Sequence, residues 1–376
     1  MRNAWLNGLT PAQFLHRHWQ KKPLLARAAL PQFAQLVTRL DLMEMAQHPD
    51  VEARLIVRDG GHWQVSHGPF RKRDFARLPA RDWTLLVQGV NHVLPQAQQL
   101  LAQFAFIPHA RLDDLMVSYA PPGGGVGPHF DSYDVFLLQG EGRRRWHISA
   151  QRDLSLVDDA PLKILRRFRP GRAWDLAAGD VLYLPPRHAH DGVALEDCIT
   201  CSVGFRAPSA QELCSGFFDF LQDRITGNAQ YADPQLTPTQ QPGRISRALT
   251  GGLLALLRAA RWNRDDMQQF IGCYLSTPKP HVAFTPPRPP LRRPAFSRAA
   301  ARCGIQLALP AIMLYDERMF YLNGEAITVA PHARAALRRL ADRRMLAPPL
   351  TTAVAGLELL YAWYRAGFVE PARHHR

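Results

Sequence analysis

Cysteine is scarce. Five in 376 residues, an odd number, argue against a disulfide framework and for a reducing compartment. Long apolar runs are missing too: no stretch reaches the unbroken length of a membrane span. The opening residues, MRNAWLNGLTPAQFLHRHW, hold no apolar core of signal-peptide length. A cytoplasmic enzyme is the expectation, with no membrane partner. No second C-x-x-C accompanies Cys198 and Cys201, so a four-cysteine zinc site is excluded. Those two lie in the β-branched run EDCITCSVGF, where residues three apart face opposite sides of a strand, and read as core. The glycine-rich PPGGGVGP lacks the Lys-Ser/Thr of a phosphate loop and precedes a strand rather than a helix. There is no β-α-β alternation to suggest a doubly wound sheet, and no Ser-His-Asp or Cys-His nucleophile arrangement stands out.

What is present is a chain long enough for two or three domains, 47% hydrophobic and 21% charged, with a net charge of +14. The excess of arginine would attract polyanions, which leaves weak RNA or ribosome association as an expectation. Arginines run from end to end, however, so charge alone does not decide the point.

Thr10 stands as N-cap of a short helix from Pro11 to Trp19, and Pro31 to Gln47 reads as another. Strand-like runs follow, ARLIVRD, HWQVSHG and WTLLVQGV, then the helical PQAQQLLAQFAF. From Leu112 to Arg206 nearly every segment reads as β, with glycine turns at short intervals, the pattern of a barrel or double-sheet jelly roll. From Pro208 three segments carry apolar residues at helical spacing, with Ser209 capping the first. Apolar helices appended to a barrel need a partner surface, so docking or dimerisation is expected. Pro278 to Pro294 should be extended rather than packed. After Ala311, two short strands around Asn323-Gly324 and helices near Pro331 to Met345 and Thr352 to Ala366 suggest a winged-helix-like module, here expected to contact protein. The expected domains are residues 1–208 (catalytic barrel), 209–276 (helical block), 277–298 (proline-rich linker) and 299–376 (winged-helix-like), an α+β chain.

The chemistry is concentrated in GPHFDSYDVFLLQGEGRRRWHIS. A bare His-x-Asp is weak, as His48-Pro-Asp50 shows by looking like a polar turn. His129 and Asp131, though, sit two apart on the approach to a strand, so both side chains point to one face and can share an ion. A third ligand on a neighbouring strand would complete the two-histidine, one-carboxylate set that holds non-haem Fe(II) with positions left open. GDVLYLPPRHAHDGVAL offers His188 in a turn and His190 opening the next strand; His190 is the better placed. Beyond the Gly140-Glu141-Gly142 turn, Arg144, Trp146 and Ile148 alternate onto the apolar face, so Arg144 points into the barrel. A buried arginine needs an anion, and a dicarboxylate such as 2-oxoglutarate supplies one. The alternative is a structural salt bridge from Arg144 to Asp134 or Glu141.

FLHRHWQKKPLLAR, PPGGGVGPHFDSYDVFLLQGEGRRRW, GDVLYLPPRHAHDGVALED and SVGFRAP resemble the JmjC-type 2-oxoglutarate oxygenases, in particular the bacterial ribosomal-oxygenase subgroup. The order of barrel, helical block and winged-helix-like tail extends the resemblance over essentially the whole chain. It implies His129, Asp131 and His190 as iron ligands, Arg144 as receiver of the distal carboxylate of 2-oxoglutarate, and Ser118 beside that cosubstrate. It also implies dioxygen as cosubstrate, a homodimer through the helical block, and C-3 hydroxylation of an arginine in large-subunit ribosomal protein sixteen. Histidyl hydroxylation, lysine demethylation, or a non-catalytic metal-binding cupin with an RNA-binding tail are the alternatives. A basic substrate would need local acidity at the barrel mouth, for which Asp113, Asp114, Asp134, Glu141 and Asp191 are the candidates.

Overall fold

The computed structural model describes residues 4–224, 230–259, 261–350 and 356–372. Helix α1 (Pro11–Arg17) starts as expected: Thr10 accepts from the Gln13 N–H, and the Gln13 side chain accepts from the Thr10 N–H. The helix expected from Pro31 to Gln47 instead divides into a 3-10 turn, Pro31–Phe33, and α2 (Arg39–Met45). Gln35 takes a left-handed φ of 60° between them, and Thr38 then restarts the helix through its own capping box with Asp41. Short helices α3 (Lys72–Ala76) and α4 (Pro95–Ala102) follow.

Eleven strands come from the first 205 residues: β1 (Leu24–Ala26), β2 (Ala53–Asp59), β3 (His62–His67), β4 (Trp83–Val87), β5 (Leu112–Ala120), β6 (Val135–Glu141), β7 (Arg144–Ser149), β8 (Arg172–Leu176), β9 (Val181–Leu184), β10 (Ala189–Ala194) and β11 (Cys198–Phe205). They form an antiparallel sheet ordered β1-β9-β6-β11-β5-β4-β2-β3 and a smaller one ordered β10-β7-β8. The jelly roll expected from Leu112 onward therefore recruits β1 to β4 as well. Alternation decides the packing. Leu115, Val117, Tyr119, Ile199, Cys201, Val203 and Phe205 leave the large sheet on its outer side, in one cluster with Phe14, Leu42 and Leu100 of the helices. Val135, Leu137, Leu182 and Leu184 face inward, onto Trp146, Ile148 and Leu176 of the small sheet. Cys198 and Cys201 are both buried and free, in separate clusters on opposite faces of β11.

The remaining elements are α5 (Ala210–Gln222), α6 (Arg247–Ala259), α7 (Arg264–Ser276), α8 (Arg293–Cys303), β12 (Ile305–Leu307), β13 (Met313–Tyr315), β14 (Phe320–Leu322), β15 (Glu325–Ile327), α9 (Pro331–Arg343), β16 (Met345–Leu346), α10 (Leu357–Ala366) and β17 (Val369–Pro371). Ser209 caps α5 in a box with Glu212. Residues 351–355, where the last helix was expected to begin, lie outside the described residues.

In space the chain falls into two compact units that do not follow chain order. One holds Met1–Ala207 with Pro278–Ile312 and Ala330–Arg376; the other holds Pro208–Thr277 with Met313–Val329. In the second unit β13, β14 and β15 make a three-stranded sheet, one strand more than expected, with Asn323 and Gly324 both at positive φ in its second turn. A Cβ on Gly272 of α7 would lie 2.2 Å from the Tyr321 ring, so only glycine permits this sheet to seat on α7. In the first unit β12 pairs with both β16 and β17. The proline-rich stretch before α8 is extended, as expected, but it is packed. Lys279 ion-pairs with Asp113 and Asp114, Phe284 packs edge-on to Phe368, and the Leu291 N–H donates to the Tyr364 hydroxyl. Prolines reduce the freedom such a segment loses on ordering, so few anchors suffice.

Candidate active site

The metal cluster foreseen in the sequence is assembled: His129, Asp131 and His190 each present one ligand atom, all within 4.8 Å of one another. Backbone pairing sets the spacing. The His129 N–H donates to the His190 carbonyl at 2.9 Å, and the His190 N–H returns the bond at 2.8 Å. The Arg187 N–H donates to the Asp131 carbonyl at 2.7 Å, tying the turn before β10 to Asp131.

Each imidazole is oriented from behind. His129 Nδ1 lies 2.9 Å from the Gly127 carbonyl, and His190 Nδ1 lies 2.8 Å from the His188 carbonyl. A carbonyl can only accept, so each Nδ1 carries the proton and each Nε2 keeps its lone pair for a metal. His188 lends its carbonyl to His190, and it is the His190 imidazole that stands with His129 and Asp131 in the cluster that could hold a metal ion. Burial pushes the His190 imidazole down to about 4, which keeps it neutral and ligand-ready at physiological pH. Its Nε2 stands 3.6 Å from Asp131 Oδ2.

The glycine loop gives the backbone its close approach. Gly127 has φ 79°, and a Cβ there would meet the Trp63 ring at 2.7 Å; a Cβ on Gly125 would meet the Gly192 carbonyl oxygen at 2.4 Å. On β10, a Cβ on Gly192 would enter the ring of Trp146 at 2.6 Å. Trp146 is itself buried, with its ring centroid 5.8 Å from that of His190.

Arg144 lies on β7 with only 5% of its surface exposed, on the same face as Trp146 and Ile148. Its Nε and Nη2 are buried without a hydrogen-bond partner among the described residues. The salt-bridge alternative does not hold. Asp134 is fully buried but is taken by Tyr183, Gln20 and Arg111, and Glu141 is exposed with no ion pair among the described residues. An orphaned, buried guanidinium edge fits a carboxylate brought in by a ligand.

Ser118 is buried on the inward register of β5, its hydroxyl 3.5 Å from the Thr200 carbonyl. Thr200 and Gln139 continue this polar lining, the Thr200 hydroxyl donating to Gln139 Oε1 at 3.1 Å. Sequence reading missed both, although a polar residue at every second position of an apolar strand, as with Thr200 and Ser202 in β11, signals an inward polar face. Of the acidic candidates at the mouth, Asp134 is a buried structural group and Glu141 a surface one. Asp191 is half-buried on β10 opposite His147. Asp113 and Asp114 share Lys279. His48-Pro-Asp50 is an exposed turn, with the Asp50 N–H donating to His48 Nδ1. A cavity of about 1090 Å³, lined by His48, Gln88, His92 and Phe284 among others, includes none of the three ligands. The donor chemistry sits elsewhere, and chemistry rather than volume identifies the site.

The JmjC domain family matches residues 99–213, and the ROXA-like winged helix family matches residues 259–370. The chain is 37% identical over 333 residues to the ribosomal protein uL16 3-hydroxylase of Escherichia coli strain K12, covering 88% of each. It is 42% identical over 213 residues to a probable ribosomal oxygenase of Haemophilus influenzae, covering 55% of this chain and 52% of that one. The crystal structure of E. coli YcfD superposes with a TM-score of 0.82 at 34% identity, covering 96% of this chain and 98% of that one. The same protein in complex with cobalt and 2-oxoglutarate gives a TM-score of 0.79. With its fold, its three-ligand cluster and its orphaned arginine, the chain belongs to the JmjC-domain ribosomal oxygenases, 2-oxoglutarate- and Fe(II)-dependent enzymes.

Proposed function

We propose that this protein hydroxylates C-3 of an arginine in the large-subunit ribosomal protein uL16, with His129, Asp131 and His190 holding Fe(II). The observation that carries the cosubstrate assignment is Arg144, whose buried and unpartnered Nε and Nη2 suit the distal carboxylate of 2-oxoglutarate. Ser118, with Thr200 and Gln139, supplies neutral polar groups beside it. Bound Fe(II), with 2-oxoglutarate and dioxygen, supplies the oxidising power that places one oxygen atom on an unactivated C–H bond while 2-oxoglutarate leaves as succinate and carbon dioxide. The chain itself fixes the ligands through the Gly127 and His188 carbonyls, walls the site from water with Trp146, and orients the reactants.

The substrate follows from the uL16 hydroxylase, to which this chain is related over 88% of its length, and from acidity at the mouth. Asp114 is buried on β5 in the same inward register as Met116 and Ser118. Its Oδ1 lies about 4.0 Å from where a Cβ on Gly204 would stand, and the Tyr133 ring lies 3.8 Å from the same place. A carboxylate there is suited to a guanidinium. Incubating the protein with uL16, Fe(II) and 2-oxoglutarate should add one oxygen to an arginine, mapped by tandem mass spectrometry. Oxygen on a histidine, or loss of a methyl group from lysine, would redirect the substrate assignment.

A homodimer forms through the helical block in this reading. Phe218, Leu253, Leu254, Leu257, Met267 and Ile271 on α5, α6 and α7 are exposed, and a second copy would bury them. Light scattering on Leu257→Glu against the parent tests this. The enzyme works in the cytoplasm, where ribosomes are, and its net charge of +14 favours weak, salt-dependent contact with RNA.

A further inference from the structure

One lysine from far along the chain reaches the acidic pair Asp113 and Asp114 on β5. Lys279 lies in the proline-rich stretch, within the same compact unit as the barrel. Its Nζ stands 3.0 Å from Asp113 Oδ2 and 3.2 Å from Asp114 Oδ2. The Asp114 oxygen that faces Lys279 is the one already held by the Gly89 N–H at 3.1 Å and the Gln88 amide at 3.2 Å. Asp113 is bound on its other oxygen by Arg206 at 3.4 Å. Among the described residues, the donors to Asp114 therefore converge on one oxygen, Oδ2. The other oxygen, Oδ1, lies about 4.0 Å from where a Cβ on Gly204 of β11 would stand, a place that the Tyr133 ring approaches to 3.8 Å.

We infer that Lys279 is a positioning residue for substrate recognition: it clamps Asp114 from behind so that Oδ1 faces the incoming guanidinium in a fixed direction. This rests on the reading of Asp114 as the substrate's acceptor. Three donors on one oxygen leave the carboxylate no freedom to rotate, and the guanidinium then meets an acceptor already oriented. Burial pushes the Asp114 carboxyl up; the Lys279 charge opposes that rise without reversing it, and the neighbouring Asp113 adds to it. A structural staple is the competing role, since the same contact also fastens the proline-rich stretch to β5. A plug is the other: a cation that the substrate must displace. The plug is disfavoured because Lys279 occupies Oδ2, not Oδ1.

The test measures KM for uL16 and kcat separately in the full-length enzyme, for Lys279→Met, Lys279→Arg and Asp114→Asn, with a thermal melt of each. For Lys279→Met we expect KM for uL16 to rise about tenfold, the loss of one charge-assisted hydrogen bond, with kcat at saturation nearly retained and KM for 2-oxoglutarate unmoved. Lys279→Arg should recover most of the affinity. A lower KM in Lys279→Met identifies a plug and overturns the inference. A fall in kcat and melting temperature together, with KM unchanged, identifies a staple and does the same. If Asp114→Asn raises KM but Lys279→Met does not, only the role of Lys279 falls; if Asp114→Asn leaves KM unchanged, the Asp114 reading falls with it.

Discussion

Replacing Arg144 by Met separates a cosubstrate receptor from a structural ion pair, because the two roles predict opposite signs for stability. Met keeps the volume and the apolar stem while removing the guanidinium. In the ligand-free protein the guanidinium is a liability: Nε and Nη2 are buried and unpartnered. Each such group costs about 1–3 kcal/mol, and the approach of its Cζ to the Trp146 ring, 5.7 Å from the centroid, returns about 1 kcal/mol. Arg144→Met should therefore make the free protein more stable by about 1–5 kcal/mol. With 2-oxoglutarate the sign reverses. Leaving the ligand's distal carboxylate buried and unpaired costs about 3–5 kcal/mol, a loss of roughly 100- to several thousand-fold in affinity. The assay is chemical denaturation of both proteins with and without metal and 2-oxoglutarate, paired with calorimetric titration. At a concentration near 100 times Kd the parent should gain about 2.7 kcal/mol from the ligand, and the variant none. Unchanged 2-oxoglutarate affinity, or a free variant several kcal/mol less stable than the parent, refutes the reasoning.

Other perturbations follow from the same geometry. His129→Ala should abolish succinate release together with equilibrium metal binding, measured by dialysis and metal analysis; succinate release that persists would remove His129 from the ligand set. Gly192→Ala should lower metal affinity and cost about 1–3 kcal/mol of stability, because the new methyl enters the buried ring of Trp146 beside His190; a melt and a metal titration check it. Asp134→Ala should destabilise the protein by about 1–3 kcal/mol, since it leaves the buried Tyr183 hydroxyl without its acceptor and removes one partner of the partly exposed Arg111, yet leave KM for uL16 unchanged; a change in KM alone would restore Asp134 to the mouth. Acid should also weaken the fold. Burial pushes His92 down to about 4, with the charges of Lys279, His281 and Arg344 adding to the effect. Between about 6.5 and 4 the unfolded chain binds a proton that the folded one does not, so this contribution is present above pH 6.5 and is lost as pH falls. The loss at pH 5 is about 1–2 kcal/mol, and His92→Gln should remove that part of the slope in denaturation curves at pH 7 and pH 5.

The sequence alone determined whatever depends on local periodicity. Two-residue spacing placed His129 beside Asp131 and turned Arg144 inward with Trp146, because alternation along a strand needs no knowledge of the partner strand. Thr10 and Ser209 announced their helices through capping boxes that close within four residues. Tertiary structure decided whatever depends on residues distant in sequence. Which histidine stands beside His129 depends on a backbone pair between His129 and His190, sixty-one positions apart. The fate of each acidic side chain was settled by what meets it: Asp134 is spent on Tyr183 and Arg111, and Asp114 is clamped by Gly89 and Lys279. A carboxylate has the same sequence signature whether it is solvated, paired or aimed at a substrate. Only its neighbours in space fix its charge, its direction and its use.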